Sequence, residues 1–183
     1  MMKPGGFKEK ILLARLNVKD ISAFEEIYNF YLDKIYRFIY FKVETKQEAE
    51  DLTSQTFLKI WQQAIEGKIK TKESFQAFIY QVARNNVIDH YRATQKKKKN
   101  EIELEAAENV FVGQSIEKDI DLKIDFQNLE EKIKHLKNEY QEIVMLHYIN
   151  ELSIKEIATV MNKKRGAVRV LLHRALKALK EQV

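Results

Sequence analysis

Residues 152–179, LSIKEIATVMNKKRGAVRVLLHRALKAL, decide how the rest of the chain is read. Two short helices joined by a tight turn are predicted. Ser153 followed three residues later by Glu156 is a capping box, in which each side chain satisfies a free N–H of the first turn. Ile157, Ala158, Val160 and Met161 supply the apolar side of the first helix. Asn162 suits the turn because it enters the left-handed region at little cost. The second helix is predicted to begin near Lys164 or Arg165. Val168, Leu172, Ala175, Leu176 and Leu179 then fall at helical spacing as one buried stripe. At ~100° per residue, Arg169, Val170, His173, Arg174 and Lys177 point the other way. No Asp or Glu interrupts Lys163 to Lys180. A helix-turn-helix with one basic, acid-free face fits the DNA major groove, its first turns nearest the base edges. A solvated surface helix shows the same pattern, and the helix-turn-helix shape also occurs in ordinary bundles, so the remaining sequence has to decide.

The chain has 183 residues, 45% hydrophobic and 32% charged, which suits one or two small soluble helical domains. Pro occurs once and Gly five times, so long helices meet few breakers. The absence of Cys excludes disulfides and thiolate metal sites and is compatible with a reducing compartment. His90, His135, His147 and His173 are too scattered for a zinc site, and His135 and His147 read as surface or packing residues. No Gly-rich phosphate loop, nucleophile motif or metal-ligand set is found, so neither an enzyme nor a cofactor is expected. MMKPGGFKEK lacks an apolar signal core and no run approaches a membrane span. The expectation is a cytoplasmic protein without membrane insertion.

Net charge is +5, distributed as +7 over residues 1–99, −8 over 100–131 and +6 over 132–183. Two basic blocks suggest two contacts with a polyanion, and the acidic connector by itself reads as a solvated spacer. A short helix is predicted around Lys8 to Leu16. Ser22 with Glu25 and Thr45 with Glu48 read as two further capping boxes. The helix after Ser22 runs to about Val43. The helix after Thr45 ends at Gly67, and a third spans about Ser74 to Arg92. Lys96 to Lys99 and the weakly periodic acidic stretch after it read as linker. A helical period restarts at about Phe126 and continues through Leu129, Ile133, Leu136, Tyr140 and Ile143 to Ile149. The fold class is therefore all-α: two small helical domains, residues 1–93 and 126–183, joined by a flexible acidic linker, 94–125, with the helix-turn-helix in the second.

EAEDLTSQTFLKIW, residues 48–61, FQAFIYQVARNNVIDHYR, residues 75–92, and the C-terminal VRVLLHRALKAL stand in this order along the chain. Together they resemble bacterial RNA polymerase sigma factors of the small two-domain extracytoplasmic-function group. The resemblance covers about residues 20–180. It implies two helical domains on a linker, binding to core RNA polymerase, and recognition and opening of promoter DNA. Family members are often held by an anti-sigma protein, and one is expected here.

By this resemblance Asp51, Leu52, Gln55, Thr56 and Phe57 would dock on the polymerase clamp helices. The residues themselves agree only in part. Asp51 and Gln55 lie one helical turn apart on a polar strip, while Phe57 and Trp61 suit a core. Helix 75–92 resembles the family's reader of the minus-ten element, implicating Arg84, Asn85, Asp89, His90 and Arg92. Tyr91 could stack or pack, and Asp89 could equally form an ion pair with Arg84. Lys70, in the loop that corresponds to the family's base pocket, would touch phosphate. The second helix of the helix-turn-helix resembles the reader of the minus-35 element, through Arg165, Gly166, Arg169, Val170, His173 and Arg174. Two departures are visible. Leu136 is followed by Lys137 where the family commonly has Pro, which alters a helix start. Ala167 stands where Thr is frequent, which removes one hydroxyl contact to phosphate.

Overall fold

The computed structural model describes residues 6–69, 74–101, 133 and 135–181. It divides into two compact units, Met1–Val110 and Phe111–Val183. The described parts of unit 1 form four helices: α1 (Gly6–Asn17), α2 (Ile21–Tyr40), α3 (Lys46–Ile65) and α4 (Phe75–Glu101). Unit 2 contains α5 (Asn138–Val144), a π-helical turn (Met145–Ile149), α6 (Ile154–Val160) and α7 (Arg165–Lys180).

In unit 1, α2, α3 and α4 pack on one another and α1 touches all three. The apolar stripes read from the sequence meet here. Ile27, Ile35, Phe38 and Ile39 of α2 are buried with Leu52, Phe57 and Ile60 of α3 and Ile79, Tyr80, Ala83 and Val87 of α4. Aromatic pairs lock the seam between α2 and α3. Phe24 meets Trp61 at 4.9 Å and Tyr28 meets the edge of Phe57 at 4.8 Å between ring centroids.

Helix ends follow local chemistry, with two departures from the sequence reading. Thr45 and Glu48 form the expected capping box. At α2 the cap is Asp20, not Ser22, and the helix starts at Ile21. Asp20 Oδ1 accepts from the N–H groups of Ser22, at 2.9 Å, and Ala23, at 3.3 Å, while Arg15 Nε donates to Oδ2 at 2.8 Å. Arg15 also reaches Glu26 Oε1 at 2.9 Å and Ser22 Oγ at 2.8 Å, so the last turn of α1 fastens the first turn of α2. The Asp20 carboxylate, tied to Arg15 five residues back, takes the cap in place of the serine, which the Ser-x-x-Glu spacing does not show. A long-range cap joins α1 to α4, where Glu9 Oε1 accepts from Gln76 N–H at 2.7 Å.

The hydrogen bonds from Ser22 and then Arg15 hold the Asp20 carboxyl down at about 2. The ionised cap therefore stabilises the fold fully above the ordinary carboxyl value and loses that contribution as pH falls toward 2. Asp20→Asn should lower the thermal midpoint by a constant amount at pH 5 to 7. The difference from wild type should vanish in acid melts near pH 2.

Gly67 (φ 63°) and Asn162 (φ 52°) both close helices in the left-handed region as expected. Each adopts the same motif: Lys68 N–H donates to Gln63 O at 2.9 Å, and Lys163 N–H donates to Ala158 O at 2.9 Å. Two extents differ from expectation. α4 continues beyond Arg92 to Glu101, because Ala, Gln, Lys and Arg favour helix and no Gly or Pro intervenes. Residues 94–101, assigned to the linker from composition, are thus helical, and the rest of that segment lies outside the described residues.

The period read from Phe126 to Ile149 is also interrupted, and its first part lies outside the described residues. A turn at His135 and Leu136 precedes α5, which starts at Asn138. Lys137 (φ −58°, ψ 143°) holds extended backbone at that start, and its φ is one that Pro would share. The π turn then shifts the register after Val144, and no side-chain spacing signals it. Asn150 closes that turn, its N–H and Nδ2 both donating to Met145 O, at 2.9 and 3.2 Å. His147 Nδ1 donates to Leu152 O at 2.9 Å, which makes this histidine a structural tie, as expected of a packing residue.

Candidate nucleic-acid and polymerase interfaces

α7 is built as the sequence predicts. Val168, Leu172 and Ala175 are buried, Leu176 and Leu179 half-buried. Arg165, Gly166, Arg169, Val170, His173 and Arg174 are all exposed, so every residue assigned to the upstream reader shares the solvent side of one helix. The Ser153–Glu156 capping box fixes the start of α6, with Ser153 N–H donating to Glu156 Oε2 at 2.8 Å. Lys163 in the turn is pinned across the unit to Glu139, Nζ to Oε1 2.7 Å, a neutralisation the acid-free run concealed. Val170, 51% exposed among arginines, is placed for apolar contact such as a thymine methyl.

Gly166 has open space where a Cβ would stand, and its backbone is helical. Nothing inside the protein therefore requires glycine. Gly166→Ala should leave thermal stability unchanged or raise it by up to about 1 kcal/mol, since Ala is the better helix former. It should weaken upstream DNA binding several-fold, measured by fluorescence anisotropy of the assembled complex on promoter duplex.

Along α4, Asn85, Asp89 and Arg92 form an exposed strip, with Arg84 half-buried beside it. Asp89 lies 3.8 Å from Arg92 Nη1, its ion-pair partner three residues on. His90 and Tyr91 depart from the expected reader. His90 Nε2 meets Glu48 Oε1 at 3.1 Å, so its ring is engaged by the capping carboxylate of α3. Burial raises the Glu48 carboxyl, but the hydrogen bonds from His90 and Thr45 outweigh it and the net shift is downward. Tyr91 donates its hydroxyl to the carbonyl of Lys42. Burial first, then Glu44 and Glu48 nearby, push the phenol up to about 12, so it stays a donor. Both rings thus tie α4 to the ends of α2 and α3. Lys70 lies outside the described residues.

On α3 the five residues of the docking motif split by face. Asp51 and Gln55 are exposed, whereas Leu52, Thr56 and Phe57 are buried in the bundle. Leu52 and Phe57 fill the core, and Thr56 Oγ1 donates to Leu52 O at 2.7 Å. Leu58, 55% exposed, continues the exposed strip from Asp51 and Gln55, and Gln62 and Ile65 extend it. Sequence reading passed over Leu58 and Ile65. Their signal was apolar residues at the i, i+4, i+7 positions of a polar strip, which is where a partner-facing surface differs from a solvated one.

The Sigma-70 region 2 family model matches residues 27–97, and the Sigma-70 region 4 model matches residues 126–179. The ECF RNA polymerase sigma factor SigM of Bacillus subtilis is 30% identical over 158 residues, 85% of this chain and 92% of SigM. The chain belongs to the extracytoplasmic-function sigma factors. The sigma factor BldN of Streptomyces coelicolor is 32% identical over 171 residues, 92% of this chain, and the chain spans 63% of BldN's length. A solved structure of the sigma factor RpoE from Bartonella quintana in complex with the anti-sigma factor NepR matches in fold. Its TM-score is 0.67 at 17% identity, covering 87% of this chain and 95% of that one. Each family match lies within one unit: the region 2 match takes in most of α2, the whole of α3 and most of α4, and the region 4 match takes in α5 to α6 and nearly all of α7.

Proposed function

We propose that this sigma factor docks core RNA polymerase through the exposed strip of α3, reads the downstream promoter element with α4 and reads the upstream element with α7. The observation that carries the reading is the segregation of exposed chemistry. α3 presents Asp51, Gln55, Leu58 and Ile65, a mixed polar and apolar surface of the kind proteins bind. α7 presents five cations and a histidine with no acid, the kind of surface DNA binds. Asn85, Asp89 and Arg92, with Arg84 beside them, offer hydrogen-bonding groups and charge to an opened strand. Residues 94–125, of which 94–101 are helical, would connect the two readers.

The protein contributes recognition and no catalysis of its own. It needs no cofactor, and it acts in the cytoplasm where its polymerase is. Among the described residues no helix is long and apolar enough to cross a membrane. The anti-sigma factor in the solved relative supports a holding partner of the same kind here.

Reconstituted transcription with core enzyme tests the reading. Asp51→Ala with Gln55→Ala and Leu58→Ser should lower core affinity by more than tenfold, since a central apolar anchor commonly contributes about 2 kcal/mol. Helical content and the thermal midpoint should stay unchanged, because all three side chains are exposed. Equal core affinity in the triple variant would move the docking surface elsewhere.

A further inference from the structure

Between the docking helix α3 and the reading helix α4 lies one buried carboxamide. Asn86 is 3% exposed. Its Nδ2 donates to Leu52 O at 3.1 Å and to Thr56 Oγ1 at 3.3 Å, and its Oδ1 accepts from the half-buried ammonium of Lys59 at 2.5 Å. Both N–H groups and the oxygen are therefore used. The partners are Leu52, Thr56 and Lys59, on successive turns of α3. Each is the immediate chain neighbour of an exposed residue of the docking strip: Asp51, Gln55 and Leu58. On α4, Asn86 directly follows Asn85, the first residue of the exposed reading strip.

Around it Leu52, Ile60, Ala83 and Val87 form an apolar buried seam, and near the start of α3 the half-buried Glu48 meets His90 of α4. Apolar faces tolerate small rotations and slides, because contact area changes slowly with register. A carboxamide with three directional bonds does not, since a shift leaves buried polar atoms unpaired. We propose that Asn86 is a positioning residue, whose bonds to Leu52, Thr56 and Lys59 set the register of the minus-ten reading face of α4 on the docking helix. The proposal rests on the sigma-factor reading above. Its consequence is that the strip Asn85–Asp89–Arg92 is presented at one fixed angle to the polymerase-facing strip, which reading single bases requires.

The test separates positioning from support. Asn86→Leu removes the three bonds and leaves Lys59 half-buried without its acceptor, so it should lower the thermal midpoint. Asn86→Leu with Lys59→Met removes both ends of the mismatch, and the midpoint should return to the wild-type value or above. Each protein is assembled with core polymerase and offered single-stranded DNA randomised over the minus-ten element. Core affinity should stay within about twofold of wild type in both. Affinity for the strand preferred by wild type should fall about tenfold in both, with flattened base preference.

Recovery of wild-type strand preference together with stability in the double variant would show the network to be structural support only, and overturn the proposal. So would a double variant that does not fold, or one that loses core affinity in parallel. If wild type with core polymerase selects no strand at all, the sigma-factor reading itself fails, an outcome distinct from these.

Discussion

Adding core RNA polymerase is expected to raise the affinity of this protein for its promoter duplex at least about a hundredfold. Reading the downstream element demands unstacked bases, and exposing them costs a few kcal/mol before any contact repays it. At ~1.4 kcal/mol per tenfold, that cost alone removes about two orders of magnitude from binding by the free protein. The exposed strip of α4, Asn85, Asp89 and Arg92, offers three side chains to offset it. Asp89 adds repulsion from phosphate that Arg92, 3.8 Å away, partly cancels. Contacts by α7 to duplex DNA would remain in the free protein, but these are dominated by cations and fall steeply with salt. A titration of labelled promoter at two salt concentrations, with and without core enzyme, checks this. Free protein should bind weakly, with little preference between promoter and random duplex. Tight, sequence-specific binding that core enzyme does not improve would indicate a free-standing helix-turn-helix regulator instead.

Arg169→Ala and Arg174→Ala are expected to be the most costly single changes for upstream recognition. Both side chains are exposed on the basic face of α7. An arginine making a bidentate guanine contact is worth about 1–3 kcal/mol, or roughly 5- to 150-fold in affinity, and its loss relaxes preference at one position. Lys164, the exposed residue before α7, provides the contrast. Lys164→Ala should weaken all promoters alike and reduce the salt dependence by about one phosphate contact. Selection of upstream sequences from a randomised duplex by each assembled variant distinguishes the two behaviours. Unchanged preference in both arginine variants would mean that α7 does not read sequence. Because these residues lie on the solvent side, thermal melting of the variants should match wild type, so lost recognition would not reflect lost fold.

The two helices and turn of the proposed upstream reader were legible because everything that builds them is local. The Ser153–Glu156 box, Asn162 in the left-handed region and the apolar period through Leu172 and Ala175 all act within a few residues. The side of α7 that faces solvent then follows from its 100° periodicity. The docking motif was legible only as a segment. Periodicity placed Asp51 and Gln55 outside, but the motif also included Leu52, Thr56 and Phe57, which the bundle buries, and passed over Leu58.

His90 and Tyr91 show why α4 was hardest. A half-polar ring on a helix is equally suited to DNA and to a neighbouring helix. Glu48 and the Lys42 carbonyl, distant in sequence, take those two rings.

The sequence by itself determined an all-α chain, its helix-turn-helix, two of its three proposed capping boxes and its family, because periodicity, caps and motif order are short-range properties of the chain. Tertiary structure alone decided which polar groups remain available. Glu9 capped α4 from 67 residues away, Lys163 was neutralised by Glu139, and Asn86 was taken into the seam between α3 and α4. The physical reason is that a polar side chain goes to whichever partner the fold brings within about 3 Å. That distance is set by packing between helices rather than by spacing along one.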